Sequence, residues 1–401
     1  MIEGFLLRIK SPCRQISYLL ILAVPILFLL PTPGTSDMNI WMGWKNTSVQ
    51  NGLLPSYAAN PADYPPISRL LLWAWPGAES TVNIKLLLLL MLLVSTAVYF
   101  IFVRSLAYAL LLFVGLLICS VGLGYLDVLW MTPFLLSFFA LQKGQLALSS
   151  VCLAIATSMK WQPMIVLPVL FLYVLLGSDQ ILHGLSLFKR CLQAFVPFFA
   201  YWIMILWIFG PTNVNAARSQ ALSQTYYSGN ALNLPWIIGS ILDIKKYGLR
   251  PFPVFALTDI PPQLQLATQF LFYFSIVMAL VIFLKSNRDF RAALSASILV
   301  SLNYFFLSMS VHENHLFLAI SLGFVALAFG LISLETQIIL LLMFNFNLVF
   351  FYGVSGTGIA RSQLFRIDIS IILAVLYIFL YLIVSLEIVQ RVFHDKLQNL
   401  P

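Results

Sequence analysis

The chain has 401 residues, of which 61% are hydrophobic and only 9% are charged. A soluble domain carries about 25% charged residues, so the composition excludes a soluble protein and predicts an integral membrane protein. A net charge of +8 is compatible with a nucleic-acid partner. Because the basic residues lie at the ends of apolar segments, however, they indicate membrane topology, and no nucleic-acid partner is expected.

Apolar segments recur from one end of the chain to the other. Each is about 20 residues long, enough to cross a hydrocarbon core of about 30 Å as a helix. They predict an all-α integral membrane fold of about twelve transmembrane helices, with interfacial helices in the outer loops, as one polytopic domain over residues 1–401. The predicted segments centre near residues 17–31, 84–103, 105–122, 128–141, 145–158, 161–176, 193–209, 265–284, 292–309, 315–332, 336–352 and 368–387. The pair around Lys160 is also compatible with one long kinked helix.

The basic residues predict the orientation of these segments. Those expected on the cytoplasmic side are Arg8, Lys10, Arg14, Arg104, Lys143, Lys189, Arg190, Lys285, Arg288, Arg291, Arg391 and Lys396. The positive-inside rule then places a first outer loop, 32–82, and a large outer loop, 210–264, on the opposite side. We expect a bacterial plasma (inner) membrane, with the site on the extracytoplasmic face.

Ionisable residues gather at the predicted outer face, where they are candidates for function because charges at membrane depth are costly. Asp37 and Asp63 lie in the first outer loop, Asp127 and Lys160 at the outer ends of segments, and His312 between two others. Several cations also fall on this side, namely Lys160, Arg218, Lys245, Lys246, Arg250, Arg361 and Arg366. They predict an anionic partner, such as a phospholipid headgroup or a lipid-linked phosphate.

Chemistry assigns roles to these residues. If the anionic partner is a sugar on a lipid-linked phosphate, the phosphate is a good leaving group, so one carboxylate that accepts the acceptor's hydroxyl proton is sufficient, and Asp37 is our choice. Lys160 and His312 would stabilise the departing phosphate. Asp63, Tyr64 and Asp127 are predicted to support the site or the acceptor.

A series of short motifs resembles the GT-C superfamily, the multi-span glycosyltransferases that use polyprenyl-phosphate sugars. In chain order they are Asp37 with Trp41 and Trp44, Gly52, Tyr57 and Asp63-Tyr64-Pro65-Pro66, Gly124 to Asp127, Lys160-Trp161-Gln162-Pro163, Asn230 to Trp236, and Val311 to Phe317. The resemblance implies an inverting transferase that moves a hexose, with mannose expected, to a lipid-linked or other extracytoplasmic acceptor. It implies no metal ion and no cofactor beyond the lipid-linked donor.

The motifs also depart from the superfamily. Many relatives have His-Glu-Arg-Tyr where this chain has His312-Glu313-Asn314-His315. The missing arginine leaves the donor phosphate without its usual contact, and His315, Lys160, Arg361 or Arg366 could replace it. The sequence does not choose among these four residues.

Structural roles compete with these assignments. Asp37 and Asp127 could be helix caps, Asp63 could stabilise the turn before Tyr64, and Lys160 could extend to the interface. His312 and Glu313 could form an interfacial pair. The aromatic residues of the first outer loop, Trp41, Trp44, Tyr57, Trp73 and Trp75, are read as an interfacial belt rather than as sugar platforms.

Two other functions stay open at this point. A lipid-linked saccharide flippase or secondary transporter would also be basic and polytopic, but it should show internal repeats and charges near the bilayer midplane. An O-antigen ligase or polymerase would use a lipid-pyrophosphate donor with outer-loop arginine and histidine. The expected partners are membrane lipids, a polyprenyl-phosphate sugar and a glycan or glycolipid acceptor.

Overall fold

The structure is a computed structural model that describes residues 23–177, 184–223, 227–247, 261–358, 363–364 and 367–398. The described helices are α1 (23–29), α2 (Asp37–Asn51), α3 (Leu53–Ala59), α4 (Pro66–Ala74), α5 (Thr81–Val103), α6 (Leu106–Leu117), α7 (Asp127–Gln142), α8 (Leu146–Met159), α9 (Leu167–Leu176), α10 (Leu185–Phe209), α11 (Pro211–Leu222), α12 (Leu234–Tyr247), α13 (Pro262–Lys285), α14 (Phe290–Leu307), α15 (Phe317–Ala328), α16 (Leu334–Tyr352) and α17 (Ile369–Gln398). A π turn, Ile118–Gly122, continues α6, and 3-10 turns, Gln162–Val166 and Glu313–Leu316, precede α9 and α15. Two short antiparallel strands, β1 (Gln363–Leu364) and β2 (Ile367–Asp368), precede α17.

The described part of the chain contains six helices that are long and apolar enough to cross a membrane, namely α5, α10, α13, α14, α16 and the 369–394 part of α17. Five shorter apolar segments, 106–122, 127–142, 146–159, 162–176 and 313–328, coincide with the other predicted spans after residue 84. The fold is therefore that of a helical integral membrane protein. The figure of about twelve crossings stays a prediction.

The core lies among α7, α14 and α15, whose side chains are buried on nearly every face. In α14, 83% of the most apolar window is buried, whereas in α13 only 17% is buried. Helix α13 instead exposes Phe270, Phe274 and Val277. A helix that is apolar all round and exposed at the periphery is suited to contact with lipid.

The chain breaks at Lys160, so the two segments around it are separate elements rather than one kinked helix. Helix α8 ends at Met159, and Lys160 has extended backbone angles, φ −152° and ψ 146°. The next turn is a 3-10 turn with Pro163 in its first positions. Because proline disfavours an α conformation in the residue before it, Gln162 cannot continue α8 easily.

The segment that leads into Asp37 is fixed by backbone contacts. Gly34 N–H donates to Ser355 O at 3.0 Å, and Thr35 N–H donates to Leu123 O at 2.9 Å. Gly356, at φ +85°, packs directly on Gly34, where an added Cβ would lie 2.0 Å from the Gly34 carbonyl carbon. The start of α2 is thereby held against the end of α6 and the loop after α16.

A buried lysine at the start of α5 strengthens this arrangement. The Lys85 ammonium donates to the carbonyl oxygens of Leu29, Thr32 and Gly122 at 3.0, 2.7 and 2.9 Å, and to the Thr32 hydroxyl at 2.7 Å. Leu29 ends α1, Thr32 lies in the turn after it, and Gly122 ends the π turn. One side chain therefore joins three segments behind the first outer loop.

The interpretation of the loop aromatics as a peripheral belt is wrong for three of the residues. Trp41, Trp44 and Tyr57 are buried, and the Trp41 and Trp44 ring centroids are 4.7 Å apart. Trp73, which is 41% exposed, has the expected peripheral position. The three buried rings occupy the interior because α2, α3 and α4 fold onto one another and need an apolar centre of their own.

The segment around Gly229 contacts the segment around His312. Gly229 and His312 form a parallel β-bridge, in which Gly229 N–H donates to Val311 O at 2.8 Å and Glu313 N–H donates to Gly229 O at 3.0 Å. Asn347 of α16 adds side-chain hydrogen bonds to Leu232 N–H at 2.8 Å and to Asn230 O at 3.2 Å. Two distant motifs are thus joined at one end of the helix bundle.

The opposite end of the bundle is basic. Helix α7 runs from Asp127 to Gln142, roughly 24 Å for its 16 residues, and is followed by Lys143, whose ammonium lies 5.0 Å from the Phe102 ring. At the same end, Arg291 donates to the Phe329 carbonyl at 3.1 Å. Lys143 and Arg291 thus lie away from Asp127. Their placement on opposite faces of a membrane stays a prediction.

Candidate active site

A cavity of about 840 Å³ lies where the segment from Asp37 to Tyr64 meets the segment around His312. We call it the main cavity. The charged and imidazole side chains that line it in the described part of the chain are Asp37, Asp63, Lys160, Arg218, His312, Glu313 and His315. The volume suits a small-molecule site, which typically measures about 300 to 1,000 Å³. Sequence segments that are more than 250 residues apart thus contribute to one concave surface.

A buried ion pair positions the cation of the cavity. Lys160 Nζ lies 2.7 Å from Asp127 Oδ1, and the second carboxylate oxygen of Asp127 accepts from Asn314 Nδ2 at 2.7 Å. Asp127 is fully buried behind Lys160, which is 7% exposed. The Asp127 carboxylate makes no cap hydrogen bond to α7, so its role in the structure is to hold Lys160 and Asn314.

Asp37 is different, because its carboxylate has no hydrogen-bond partner among the described residues. Helix α2 begins at Asp37 itself, the cap position is Ser36, and no side-chain cap hydrogen bond is made. Burial raises the pKa of Asp37, while the charge of Lys160 opposes this and Asp63 and Asp127 add to it. The result is a carboxylate of increased basicity that faces the cavity and is free to bind a ligand group.

The two histidines that line the cavity are neutral near pH 7. Burial, followed by the charge of Lys160, lowers the pKa of His312 to about 4. Burial also lowers the pKa of His315, whose Nδ1 lies 2.9 Å from the Tyr304 hydroxyl. Their rings are 5.3 Å apart. At neutral pH they therefore offer hydrogen bonds to a ligand, and the fixed positive charges come from Lys160 and Arg218.

Glu313 is a second buried carboxyl group at this site. It lies in a 3-10 turn outside the six long helices, and its Oε1 accepts a hydrogen bond from the Tyr125 hydroxyl. Its Oε2 is buried without a hydrogen bond and lies 3.9 Å from His312 Nδ1. Burial raises the pKa of Glu313 to about 7, so this group is partly protonated at neutral pH.

Aromatic rings form one wall of the cavity. The Tyr64 ring lies 5.2 Å from Trp41 and 5.5 Å from Trp44, and Lys160 Nζ is 5.4 Å from its centroid. Trp161 follows Lys160 and donates its indole N–H to the Asp63 carbonyl at 3.0 Å. This hydrogen bond attaches the Asp63 turn to the segment that carries Lys160, so the wall and the cation are positioned together.

The structure brings most of the sequence-predicted site residues together. Asp37, Asp63, Tyr64, Lys160, His312 and His315 line the main cavity, and Asp127 lies directly behind Lys160. Arg361 and Arg366, predicted to contact a donor phosphate, lie outside the described residues, as does Arg250. The side chains of Lys245 and Lys246 likewise lie outside the described part of the chain.

Sequence reasoning missed several residues that line or support the cavity. Glu313 is one of the ionisable residues of the predicted outer face but was assigned no role beyond a pair with His312, and Asn314, Tyr304 and Tyr125 were given no role. Glu313 and Asn314 lie inside the His312–His315 motif, so the motif itself was the signal. Tyr125 lies inside the Gly124 to Asp127 motif, which was the signal for it. Tyr304 is an ordinary aromatic in apolar sequence, and no pattern distinguishes it before the fold is known.

Comparison with known proteins does not extend these observations. No protein-family model matches the chain, and no curated protein sequence matches it significantly. Any assignment of function therefore depends on the sequence motifs and on the geometry of the main cavity.

Proposed function

We propose that the protein is an inverting membrane glycosyltransferase that moves a hexose, mannose in the simplest case, from a polyprenyl-phosphate donor to a lipid-linked or other extracytoplasmic acceptor. One observation carries the proposal. The main cavity combines the Asp37 carboxylate, which has no partner among the described residues, with Lys160, a buried cation held by Asp127. These are the base and the phosphate contact that such a transfer needs.

The reaction places Asp37 beside the acceptor hydroxyl. The acceptor oxygen attacks the anomeric carbon from the face opposite the phosphate, and its proton passes to the Asp37 carboxylate. The bond between the anomeric carbon and the phosphate oxygen breaks, and the electron pair leaves with the phosphate. The raised pKa of Asp37 suits this role, because a more basic carboxylate accepts a proton more readily.

Lys160 stabilises the phosphate as it leaves. The ammonium is fixed by a 2.7 Å contact to Asp127 and is therefore preorganised before the donor binds. His312 and His315, neutral in the unliganded site, add hydrogen bonds rather than charge. The aromatic wall of Trp41, Trp44 and Tyr64 supplies an apolar surface for the sugar ring.

The orientation belongs to the same proposal. The main cavity opens on the extracytoplasmic side of a bacterial plasma membrane, and the prenyl chain of the donor stays in the lipid while its phosphate reaches Lys160. This orientation is supported by the separation between the cavity and the basic end of the bundle at Lys143 and Arg291.

The test is a transfer assay with purified protein and a panel of donors. Polyprenyl-phosphate mannose, glucose, galactose and N-acetylglucosamine are incubated with the protein and with a membrane lipid extract, and loss of the sugar from the lipid phosphate is measured. We expect one polyprenyl-phosphate sugar to react. Reaction only with polyprenyl-pyrophosphate sugars would support the ligase or polymerase alternative, and transbilayer movement without bond cleavage would support the flippase.

A further inference from the structure

A second cavity, of about 570 Å³, adjoins the main cavity between α2 and α3, beside Arg69 of α4. We call it the Arg69 cavity. Ile40, Trp44 and Asn60 line both cavities, so the two share a wall. The Arg69 cavity also falls within the usual volume range of small-molecule sites, about 300 to 1,000 Å³.

Arg69 brings a buried positive charge to this cavity. It is 3% exposed, and its hydrogen bonds run to the Ser48 hydroxyl at 3.1 Å, the Asn60 carbonyl at 2.6 Å and the Thr47 hydroxyl at 3.0 Å. These partners are all neutral. No described carboxylate lies within ion-pair distance of Arg69, and its guanidinium has five N–H donors, so donor capacity remains. A buried cation that lacks an acidic partner is an energetic cost that an anionic ligand would offset.

The rest of the lining combines apolar and polar side chains, as a sugar-binding site requires. Ile40, Trp44 and Pro55 present apolar surface, whereas Asn51 and Asn60 present amide groups. A pyranose also has two kinds of surface, with C–H groups on its faces and hydroxyl groups around its rim. Aromatic and aliphatic side chains pack against the faces, and amide groups hydrogen-bond the rim.

The geometry of α2 connects this cavity to Asp37. Asp37, Ile40 and Trp44 follow one another at helical spacings of three and four residues, so they lie on one face of α2. Trp44 lies seven positions after Asp37, which corresponds to roughly 10 Å along the helix. A ligand that reaches from Asp37 to Arg69 along this face therefore extends beyond a single sugar ring.

We propose that the Arg69 cavity binds the acceptor, and that this acceptor is a saccharide with an acidic group, a carboxylate or a phosphate, one sugar unit away from the hydroxyl that reacts at Asp37. This inference rests on the proposed transferase function. Arg69 pairs with the acidic group, and Trp44 separates the acceptor sugar from the donor sugar. A charge-assisted contact to a planar guanidinium gives both affinity and orientation.

Gly43 offers a way to close the cavity without disturbing Arg69. Gly43 lines the Arg69 cavity within α2, and a Cβ added there would meet no atom within 4 Å. Gly43→Phe should therefore fold normally while its ring fills the cavity. Gly43→Ala is the matched control, because it changes the same backbone position and leaves the cavity open. Arg69→Gln tests the charge directly.

Binding is measured by saturation-transfer NMR on the full chain in detergent micelles, without donor lipid. The probes are glucuronic acid, glucose 6-phosphate, glucose and inorganic phosphate. We expect at least one acidic sugar to bind at least tenfold more tightly than glucose and at least tenfold more tightly than inorganic phosphate. Whichever of the two acidic sugars binds more tightly then shows whether the site prefers a carboxylate or a phosphate. Gly43→Phe should weaken this binding at least tenfold, Gly43→Ala should retain it, and Arg69→Gln should remove the preference for an acidic sugar.

The inference is overturned if neither acidic sugar binds better than glucose, if binding survives Gly43→Phe, or if inorganic phosphate binds as tightly as the acidic sugars. The last result would describe an anion site with no saccharide recognition. The transfer assay gives an independent result. Absence of donor turnover in a protein that binds acidic sugars would reject the proposed reaction and leave this site in place.

Discussion

At the scale of single residues, the Lys160–Asp127 pair is the most constrained contact of the site. Both side chains are almost inaccessible to solvent, and removing one charge leaves the other buried and uncompensated. We expect Asp127→Ala to destabilise the protein by about 3–5 kcal/mol. The measurement is equilibrium unfolding in mixed detergent micelles. The double variant Asp127→Leu with Lys160→Met should recover most of the loss, and a loss that persists in the double variant would show that the charges are not the cause.

Glu313 makes the stability of the protein depend on pH in a defined direction. Its carboxyl group titrates near 4.5 when exposed and near 7 in the folded protein, so the folded state binds more protons between these values. The free energy of unfolding therefore falls as the pH rises through this interval. Glu313→Gln lacks the effect, and we expect its stability relative to wild type to rise from pH 4.5 to about pH 7 and then level off.

Thermal melts of both proteins across this range provide the test. The comparison between the two proteins is needed because His312 acts in the opposite direction. Its pKa is lowered to about 4, so its contribution to stability is present above pH 6.5 and lost as the pH falls toward 4. A difference between wild type and Glu313→Gln that does not change with pH would contradict the assignment.

Residue types and positions in the sequence were enough to predict most of the ionisable residues that line the main cavity. Ionisable residues such as Asp37, Lys160 and His312 are energetically costly at membrane depth, and for this reason they were predicted to be functional. The neutrality of the histidines and the pairing of Asp127 with Lys160 could not be predicted, because both depend on burial and on distances across separate segments. The cavity at Arg69 was not visible either, since one arginine in a loop is ordinarily solvated.

At the scale of secondary-structure elements, the loop after α16 holds the start of α2 in place. Gly356 and Gly358 both have positive φ, at +85° and +81°, so alanine is strained at either position. At Gly358 the nearest atom to an added Cβ is 3.7 Å away, whereas at Gly356 the Cβ would overlap the Gly34 backbone at 2.0 Å. We expect Gly358→Ala to cost about 1–2 kcal/mol and Gly356→Ala clearly more.

Melting temperatures of the two glycine variants check this expectation. Because Gly34 and Thr35 lead into Asp37, Gly356→Ala should also slow sugar transfer more than Gly358→Ala does. Equal destabilisation by the two substitutions would mean that the close approach of Gly356 to Gly34 does not restrain α2.

The elements themselves were largely predictable. Apolar length marks α5, α10, α13 and α16 in the sequence, because a membrane demands continuous hydrophobic helices. The break at Lys160 was left open, since Pro163 permits both a kink and a stop. The fold of α2, α3 and α4 into a buried aromatic cluster was missed. Tryptophan and tyrosine in a membrane loop suit an interface and an interior equally well.

At the scale of the whole molecule, the proposed orientation places the main cavity and the basic residues on opposite sides of the membrane. Asn60 borders the main cavity, and Asn287 lies between α13 and α14. We introduce Asn60→Cys and Asn287→Cys separately in a background without native cysteines. An impermeant maleimide added to right-side-out vesicles should label the first variant and leave the second unlabelled until the membrane is opened. Labelling of both from one side would contradict the orientation.

In the proposed reaction, Asp37 accepts the proton of the acceptor hydroxyl while Lys160 contacts the donor phosphate. The most direct measurement is the single-turnover transfer rate of Asp37→Asn, together with its affinity for the polyprenyl-phosphate sugar that reacts with wild type. Asparagine keeps the shape of the side chain but cannot accept the proton, so we expect the rate to fall by at least ~10²-fold with donor affinity unchanged. Lys160→Gln should weaken donor binding as well as the rate. Transfer by Asp37→Asn at close to the wild-type rate would contradict the account.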